Sequence, residues 1–361
     1  MTDRIHTITM PKWGMTMTEG KVAEWLKAPG DRIAPGDEFV EIETDKITNV
    51  VEAQVAGLLR RLLVQPGQSA PCGAAIALLA EPEVDEAELD LIAAMAPVAA
   101  LDEAGLVETR VKAGGLSLSV VSAGLGDAPP LILLHGFGSD AASWMFVQEP
   151  LADGRKVHAI DLPSHGGSDV DAGVANVAAL ADQLRLVIDE LAPGPLHLAG
   201  HSLGGRLAMR LAAIMGARVL TLTLIAPAGM GSAVNPGFVE SFLAANSRRP
   251  MKQVLHMLVA DHGSVTSEMV ERMLASKRMD GASDALTVIA AECLGVAEAD
   301  DAATDRAAVT APVLTIWGAQ DRIIPPPGKG AVLIADAGHM PQMESASRVV
   351  QLIADHIGAA P

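Results

Sequence analysis

The sequence predicts a small all-β sandwich domain over residues 1–80, followed by an α/β domain with a mostly parallel sheet and a helical cap over residues 109–361. Three observations support this fold class. The first segment contains an internal repeat rich in turn residues, an acidic, alanine-rich segment follows it, and buried strand-like runs then alternate with helical patterns. Alternation of that kind is typical of a parallel sheet with helices packed on it.

Length, composition and charge narrow the class of protein. A chain of 361 residues suits about two domains. It starts without a signal pattern and has no apolar run near the roughly eighteen residues that span a membrane, so we expect a cytoplasmic protein without membrane contact. Cys72 and Cys293 are too few for a disulfide framework, which fits a reducing compartment. The net charge of −18 argues against a nucleic-acid partner.

The N-terminal segment repeats itself at an offset of 37 residues (57 − 20). The recurring positions are Gly20, Leu26, Pro29, Gly30 and Gly36, which return as Gly57, Leu63, Pro66, Gly67 and Gly73. Two short, turn-rich halves predict a sandwich with approximate two-fold symmetry. Lys46 lies where the halves join, between strand-like runs at 39–42 and 50–53, and should project from the tip of a hairpin.

A single lysine on a turn is ordinarily a solvated charge. Residues 5–80, however, with Met10-Pro11-Lys12-Trp13-Gly14, Glu19-Gly20 and Glu43-Thr44-Asp45-Lys46, resemble a lipoyl domain. In that family the lysine at the tip carries lipoate in amide linkage. Biotin carriers usually flank their lysine with methionines, so Asp45 and Ile47 favour lipoate. The modification would remove the charge of Lys46 and convert the side chain into a long tether that presents its cargo at high effective concentration.

The segment 81–108 holds nine acidic residues and neither Lys nor Arg. Such self-repelling charge predicts an extended linker, with room for one helical patch. Related multi-domain acyltransferases place a basic partner-binding module at this point of the chain. We find none here, so the segment is interpreted as a spacer and the way in which partners dock stays open.

The stretch Gly200-His201-Ser202-Leu203-Gly204 follows an apolar run and precedes a helical pattern. Strand, sharp turn and helix in that order predict a nucleophile elbow, in which strained backbone exposes the Ser202 hydroxyl above the sheet. Glycines on either side let the strand and the helix approach each other closely.

Three further motifs follow a set order around this elbow. They are His135-Gly136-Phe137-Gly138, Gly318-Ala319-Gln320-Asp321 and Ala337-Gly338-His339-Met340. Residues 109–361 therefore resemble the α/β-hydrolase family. The resemblance implies that Ser202 is the nucleophile, Asp321 the orienting acid and His339 the base. It also implies an oxyanion hole formed by the backbone N–H of Leu203 and that of Phe137 or Gly136.

Other readings of these residues stay open. His135 and His201 compete with His339, but beside glycines at strand ends a structural role is favoured. Asp161 is an alternative acid, although it precedes Ser202, against the order of the family. Seventeen residues separate Asp321 from His339, and they include the proline-rich segment 325–330, so the helix usual at this point should be missing. That leaves the rigidity of His339 open.

Residues 228–305 interrupt the alternation and predict a helical cap over Ser202. Its methionines suit an adaptable acyl pocket, with core packing as the plainer alternative. They are Met230, Met251, Met257, Met269, Met273 and Met279. Its cations suit the phosphates of coenzyme A, with ordinary solvated helix faces as the alternative. They are Arg248, Arg249, Lys252, Arg272, Lys277 and Arg278.

A lipoyl domain joined to an α/β-hydrolase domain resembles the acetyltransferase components of acetoin dehydrogenase complexes. The resemblance implies transfer of an acetyl group from lipoyl-Lys46 to coenzyme A through the Ser202 site. It implies partnership with a thiamin-dependent dehydrogenase component and a dihydrolipoamide dehydrogenase, in a homo-oligomer without a metal site. The H-x-x-x-D-G motif of the usual 2-oxo acid acyltransferases is absent from the sequence.

Two rival functions remain at this level. The same triad with water as acceptor would make a thioesterase or esterase. A hydrolase fold without activity would make a non-catalytic lipoyl carrier.

Overall fold

The computed structural model describes residues 5–11, 19–44, 48–53, 55–86, 89, 106–295 and 298–359. The chain divides into two compact units, Met1–Glu103 and Ala104–Pro361. Within the described ranges, none of the helices combines the length and the apolarity that crossing a bilayer requires.

The first unit is a sandwich of two four-stranded sheets, as predicted. Its strands are β1 (Ile5–Thr9), β2 (Glu19–Trp25), β3 (Arg32–Ile33), β4 (Glu38–Glu43), β5 (Thr48–Glu52), β6 (Gly57–Leu62), β7 (Ser69–Pro71) and β8 (Ala75–Ala80). One sheet has the order β1-β8-β6-β3 and the other β5-β4-β2-β7, with antiparallel pairing. Alternate residues such as Val22, Ile42 and Leu59 are buried between the sheets.

The glycines of the repeat occupy equivalent turns. Gly30, Gly36, Gly67 and Gly73 have φ angles of 102°, 89°, 84° and 83°. Only glycine adopts such angles without strain. The Gly30 N–H donates to the Leu59 carbonyl and the Gly67 N–H to the Val22 carbonyl, both at 2.7 Å. Leu59 follows Val22 at the offset of the repeat (59 − 22 = 37), so these two hydrogen bonds join equivalent positions of the two halves.

Strands β4 and β5 form a hairpin in which Glu43 pairs with Thr48. Both of these residues are exposed. Lys46 lies outside the described residues, so its place at the tip stays a prediction from the sequence.

The start of the predicted linker packs on this sandwich. Val84 and Leu89 are buried in a cluster with Leu78 and Ala80. Arg60 donates to the carbonyls of Glu81 and Val84 at 2.9 and 3.2 Å. Burial of two apolar side chains thus outweighs the acidic charge of residues 81–86, whereas residues 90–105 lie outside the described part of the chain.

The second unit is built on an eight-stranded sheet of order β16-β15-β14-β13-β11-β12-β10-β9. The strands are β9 (Val107–Ala113), β10 (Leu116–Ala123), β11 (Ala128–Leu134), β12 (Arg155–Ile160), β13 (Leu196–His201), β14 (Val219–Ile225), β15 (Val313–Gly318) and β16 (Val332–Ile334). Pairing is parallel from β12 to β16 and antiparallel at the β9 and β10 edge. The mostly parallel sheet is the one predicted.

Helices cover both faces of this sheet. They are α1 (Met145–Gln148), α2 (Val177–Leu191), α3 (Leu203–Met215), α4 (Pro236–Ala244), α5 (Arg248–Leu258), α6 (Ser267–Lys277), α7 (Ala282–Cys293), α8 (Glu298–Ala308), α9 (Pro341–Glu344) and α10 (Ala346–Gly358). Ile132 and Leu134 pack into one apolar core, and Leu131 and Leu133 into the other. A strand buried on both faces reads as a continuous apolar run, as β11 does.

The central strands create a crevice at their carboxyl ends. From β11 the chain crosses to β12 on one side and then returns to β13 on the other side of β11. Ligands bind at such switch points in open α/β sheets. The loops that follow β11 and β13 are those of the His135 and Ser202 motifs. Helices α4–α8 lie between β14 and β15, in the segment for which the sequence predicts the cap.

Candidate active site

Ser202 stands between β13 and α3 with φ 54° and ψ −115°. A non-glycine residue in this region is strained by about 1–3 kcal/mol, so the surrounding structure must hold it there. The Ser202 N–H donates to the Ile225 carbonyl at 2.9 Å. The Ser202 carbonyl accepts from the N–H groups of Arg206 and Ala228, both at 3.0 Å.

The glycines of the elbow are required by close backbone contacts. A Cβ on Gly200 would lie 2.2 Å from the Gly204 carbonyl oxygen, and one on Gly204 would lie 2.2 Å from the Leu134 carbonyl oxygen. Both distances are far below any real contact of a Cβ, so neither position accepts a side chain. The strand, the elbow and the loop after β11 therefore pack backbone to backbone.

The loop after β11 lies directly against Ser202. A Cβ on Gly136 would lie 3.1 Å from the Ser202 Cβ and 2.9 Å from the His201 Nδ1. Leu203 is the first residue of α3, where N–H groups have no intrahelical partner. The predicted oxyanion donors, Leu203 with Phe137 or Gly136, thus come from segments that flank the serine, and their role remains a prediction.

Asp321 binds the ring of His339. The His339 Nδ1–H donates to Asp321 Oδ2 at 2.8 Å, which Trp317 Nε1–H also approaches at 3.1 Å. Asp321 Oδ1 accepts from the N–H groups of Ile323 and Ile324 at 2.8 and 2.9 Å. With Nδ1 as donor, His339 presents an unprotonated Nε2, as a general base requires.

Ser202 and His339 line one cleft of about 20 Å³. Its wall is completed by the apolar side chains of Val234, Phe238, Leu258, Leu294 and Ile323. Ser202 is 6% exposed and His339 2%, so both residues are buried at this cleft. The structure therefore brings the three predicted triad residues together, and their catalytic roles stay predictions.

The loop that carries His339 is anchored without the helix that the family usually has there. Residues 319–331, all of them described, form turns and bends. The His339 N–H donates to the Leu258 carbonyl at 2.7 Å, at the end of α5. Glu344 accepts from the N–H groups of Gly338 and Ala260 at 2.8 and 2.5 Å. The cap thus supplies the rigidity that the sequence left open.

His201 supports His339 from the side of the elbow. Its Nε2–H donates to the His339 carbonyl at 2.8 Å, and the two rings lie 4.7 Å apart. Burial lowers the pKa of His201 well below its usual value. The Nε2 of the neutral His201 ring is occupied by its bond to the His339 main chain. His201 therefore supports His339 instead of competing with it as the base.

His135 and Asp161 are structural. His135 Nδ1–H donates to the Gly136 carbonyl at 2.8 Å, and its Nε2 accepts from the Leu162 N–H at 3.0 Å. Asp161 accepts from the N–H groups of Ala141 and Gly167, both at 2.7 Å. Burial lowers the pKa of His135 and raises that of Asp161. Together they fix the loops on either side of the His135 motif.

Two of the cap cations, Lys277 and Arg272, make contacts within the protein. Lys277 is buried, and its Nζ donates to the carbonyls of Leu243 and Ala245 at 3.0 and 2.8 Å, at the end of α4. Arg272 pairs with Asp140 at 2.9 Å. These contacts do not fit a phosphate site at Lys277 and Arg272, and the buried Lys277 is not a charge on a solvated helix face either.

Sequence reasoning missed a buried ion pair behind the elbow. Arg206 and Arg210 of α3 bind the two carboxylate oxygens of Asp305 in α8 at 2.7 and 2.9 Å. It also missed Glu344. An isolated acid within the apolar segment that follows His339 was the available signal for it.

Comparisons with known proteins bear on both units. A model described as "Biotin-requiring enzyme" matches residues 6–79, and one described as "Alpha/beta hydrolase family" matches residues 131–352. A dihydrolipoyllysine-residue acetyltransferase component of acetoin cleaving system from Pseudomonas putida is 39% identical over 96% of this chain and 97% of its own length. One from Cupriavidus necator is 39% identical over 98% of both. The chain belongs to this acetyltransferase-component family.

A comparison with solved structures bears on the fold. The 2-hydroxy-6-oxo-6-phenylhexa-2,4-dienoate hydrolase of Rhodococcus sp. strain RHA1 matches with a TM-score of 0.62 at 22% identity, over 70% of this chain and 99% of that one. At this identity the likeness shows the fold. The second unit therefore has the α/β-hydrolase fold.

Proposed function

We propose that this chain is the acyltransferase component of an acetoin dehydrogenase-type complex. It passes an acetyl group from a thioester on lipoyl-Lys46 to coenzyme A, through Ser202. The observation that carries the proposal is the Asp321–His339 pair beside the strained Ser202, in a chain whose first unit is a lipoyl-type sandwich. The full-length relatives bear the name of that activity.

In the first half-reaction His339 Nε2 takes the proton of the Ser202 hydroxyl as Oγ attacks the thioester carbonyl. The N–H groups of Leu203 and of Phe137 or Gly136 receive the charge on the carbonyl oxygen. Losing one such donor typically costs about a hundred- to a thousandfold in rate. The carbon–sulfur bond then breaks, and His339 returns the proton to the departing thiolate.

In the second half-reaction the coenzyme A thiol gives its proton to His339 and attacks the acetyl-serine carbonyl. The ester bond to Ser202 breaks, and the proton passes back to Ser202 Oγ. Asp321 keeps the imidazole in the required tautomer throughout and stabilises it when protonated.

Lipoate would supply a thioester-bearing tether on Lys46. The paired residues Glu43 and Thr48 fit this role because both are exposed and because Lys46 lies between them in the sequence. A mass increment on the Lys46 peptide of protein made in lipoate-competent cells, absent in Lys46→Arg, tests the attachment.

The enzyme acts in the cytoplasm as a homo-oligomer, with a thiamin-dependent dehydrogenase component that loads the arm and a dihydrolipoamide dehydrogenase that reoxidises it. The similar protein from Pseudomonas putida is a component of an acetoin cleaving system, which supports partners of this kind.

Ser202→Ala tests the central role. The variant should lose acetyl transfer from S-acetyldihydrolipoamide to coenzyme A by about a thousandfold or more, because the attacking oxygen is gone. Circular dichroism should show the same fold as the wild type. Full retention of transfer by folded Ser202→Ala would end the assignment.

Hydrolysis is the second candidate, since the same three residues serve water as well as a thiol. Product analysis decides between them. Acetyl-coenzyme A formed in step with loss of the thioester supports the transferase, and free acetate at an unchanged rate with or without coenzyme A supports the hydrolase.

A further inference from the structure

A second cleft adjoins that of Ser202. It encloses about 180 Å³, against about 20 Å³ around Ser202 and His339. Ser139, Met273 and Met340 line both spaces. The shared residues place the larger cleft next to the one that contains Ser202.

The lining of the larger cleft is apolar and rich in thioethers. The sulfur-bearing residues are Met145, Met269, Met273, Met340 and Met343. Phe146, which is half exposed, lines the same cleft. Methionine side chains are flexible and polarisable, so they adapt to a slender apolar chain that changes position. A rigid planar substrate would need a more defined wall.

The charges of the cleft disfavour a polyanion. Its charged lining residues are Asp140, Glu268 and Arg272, a formal sum of −1. Arg272 Nη2 binds Asp140 Oδ2 at 2.9 Å, so its charge is already compensated. An uncharged chain fits this lining, whereas the phosphates of a nucleotide do not.

The two clefts differ in volume, so they suit different parts of a thioester substrate. A space of about 20 Å³ is little more than one water molecule needs, so it leaves no room for a long acyl chain beside Ser202. The larger cleft, with about 180 Å³, has room for the thiol-bearing chain.

We propose that the Met-lined cleft binds the hydrocarbon chain of an acylated dihydrolipoyl arm, and that the small cleft excludes long acyl chains. The inference rests on the proposed function. It adds the site of the donor chain, on α6 and the segments 139–146 and 340–343.

The test measures binding directly. Unlipoylated full-length protein is titrated with dihydrolipoamide in a calorimeter, so that its own arm does not compete. Met269→Glu places a charge in the cleft and should raise the dissociation constant by about tenfold. Met279→Glu, on an exposed cap methionine that does not line the cleft, is the matched control and should stay within about twofold of the wild type.

A second variant keeps the test valid if Met269→Glu does not fold. Phe146→Ala removes a half-exposed ring from the wall and should weaken binding by about threefold, with Leu333→Ala, equally exposed and outside the lining, as control. Unchanged affinity for dihydrolipoamide in both cleft variants overturns the proposal. So does a loss seen with pantetheine but not with dihydrolipoamide, because the cleft would then serve the acceptor.

Acyl length is tested separately. Acetyl transfer should exceed hexanoyl transfer from the same carrier by about a hundredfold, and equal rates would contradict the small cleft. Failure of the proposed function is distinguishable, because Ser202→Ala would then retain transfer while the calorimetric difference between Met269→Glu and Met279→Glu persists.

Discussion

At the scale of single residues, the base of the site is held by main-chain bonds. The His339 carbonyl accepts from His201 Nε2–H at 2.8 Å, and the His339 N–H donates to the Leu258 carbonyl at 2.7 Å. The ring itself is oriented by Asp321 at 2.8 Å. Since each bond fixes a different part of the residue, the imidazole is held in one orientation.

We predict that His201→Leu lowers kcat for ester hydrolysis by about ten- to a hundredfold, because a base that shifts by a fraction of an ångström loses alignment. His201→Gln should recover most of this loss, because its amide can donate to the same carbonyl. The measurement is steady-state kinetics with p-nitrophenyl acetate. Equal activity of His201→Leu and the wild type would show that His201 does not position the base.

The sequence predicts the site residues well where local spacing decides. The elbow at Ser202 rests on strand, turn and helix within a dozen residues, and close backbone contacts at Gly200 and Gly204 explain its glycines. The bond from His201 to His339 joins residues 138 positions apart. No local pattern encodes such a contact, so the sequence could indicate a structural histidine but not its partner.

At the scale of elements, the nucleophile helix and the cap are joined through charge. Asp305 of α8 is 4% exposed and Arg206 of α3 is 1% exposed. Removing one partner of a buried pair leaves an uncompensated charge. The ion pair therefore joins α8, the last helix of the cap, to α3, the helix that follows Ser202.

We expect Asp305→Ala to lower the free energy of unfolding of the second unit by about 3 kcal/mol, since two arginines lose their carboxylate. Asp301→Ala, an exposed acid on the same helix, should change it by less than about 0.5 kcal/mol. Urea unfolding followed by tryptophan fluorescence measures both variants. A loss in Asp305→Ala no larger than that in Asp301→Ala contradicts the structural account of the pair.

Strands were predictable wherever apolar runs are continuous. The predicted run 219–225 coincides with β14, and 313–317 with β15. The structure at the start of the linker was not predictable from the sequence, because the burial of Val84 and Leu89 on the sandwich depends on tertiary packing and on Arg60. The charge composition of the segment predicts a solvated chain, but it does not predict that two apolar residues pack on the sandwich.

At the scale of the whole molecule, burial of neutral histidines couples stability to pH. Burial lowers the pKa of His165 to about 3 and that of His158 and His197 to about 4. Their ordinary pKa is about 6.5. The unfolded chain therefore binds more protons than the native state at pH values between about 6.5 and 4.

The free energy of unfolding should fall as the pH falls, because the unfolded chain takes up more protons than the native state. The stabilisation is fully present above pH 6.5 and is lost as pH falls toward about 4, by up to about 1.4 kcal/mol per pH unit for each histidine. We expect the second unit to be several kcal/mol less stable at pH 5 than at pH 7.5, and His165→Gln to show a shallower dependence. Urea unfolding over this range is the measurement, and a flat profile contradicts the account.

The account depends most on the acetyl group passing through Ser202. Full-length protein is incubated with S-acetyldihydrolipoamide without coenzyme A, quenched in acid and digested for mass spectrometry. The account predicts an acetyl group on the peptide that contains Ser202, discharged when coenzyme A is added before the quench. An unmodified Ser202 peptide together with undiminished formation of acetyl-coenzyme A would contradict it.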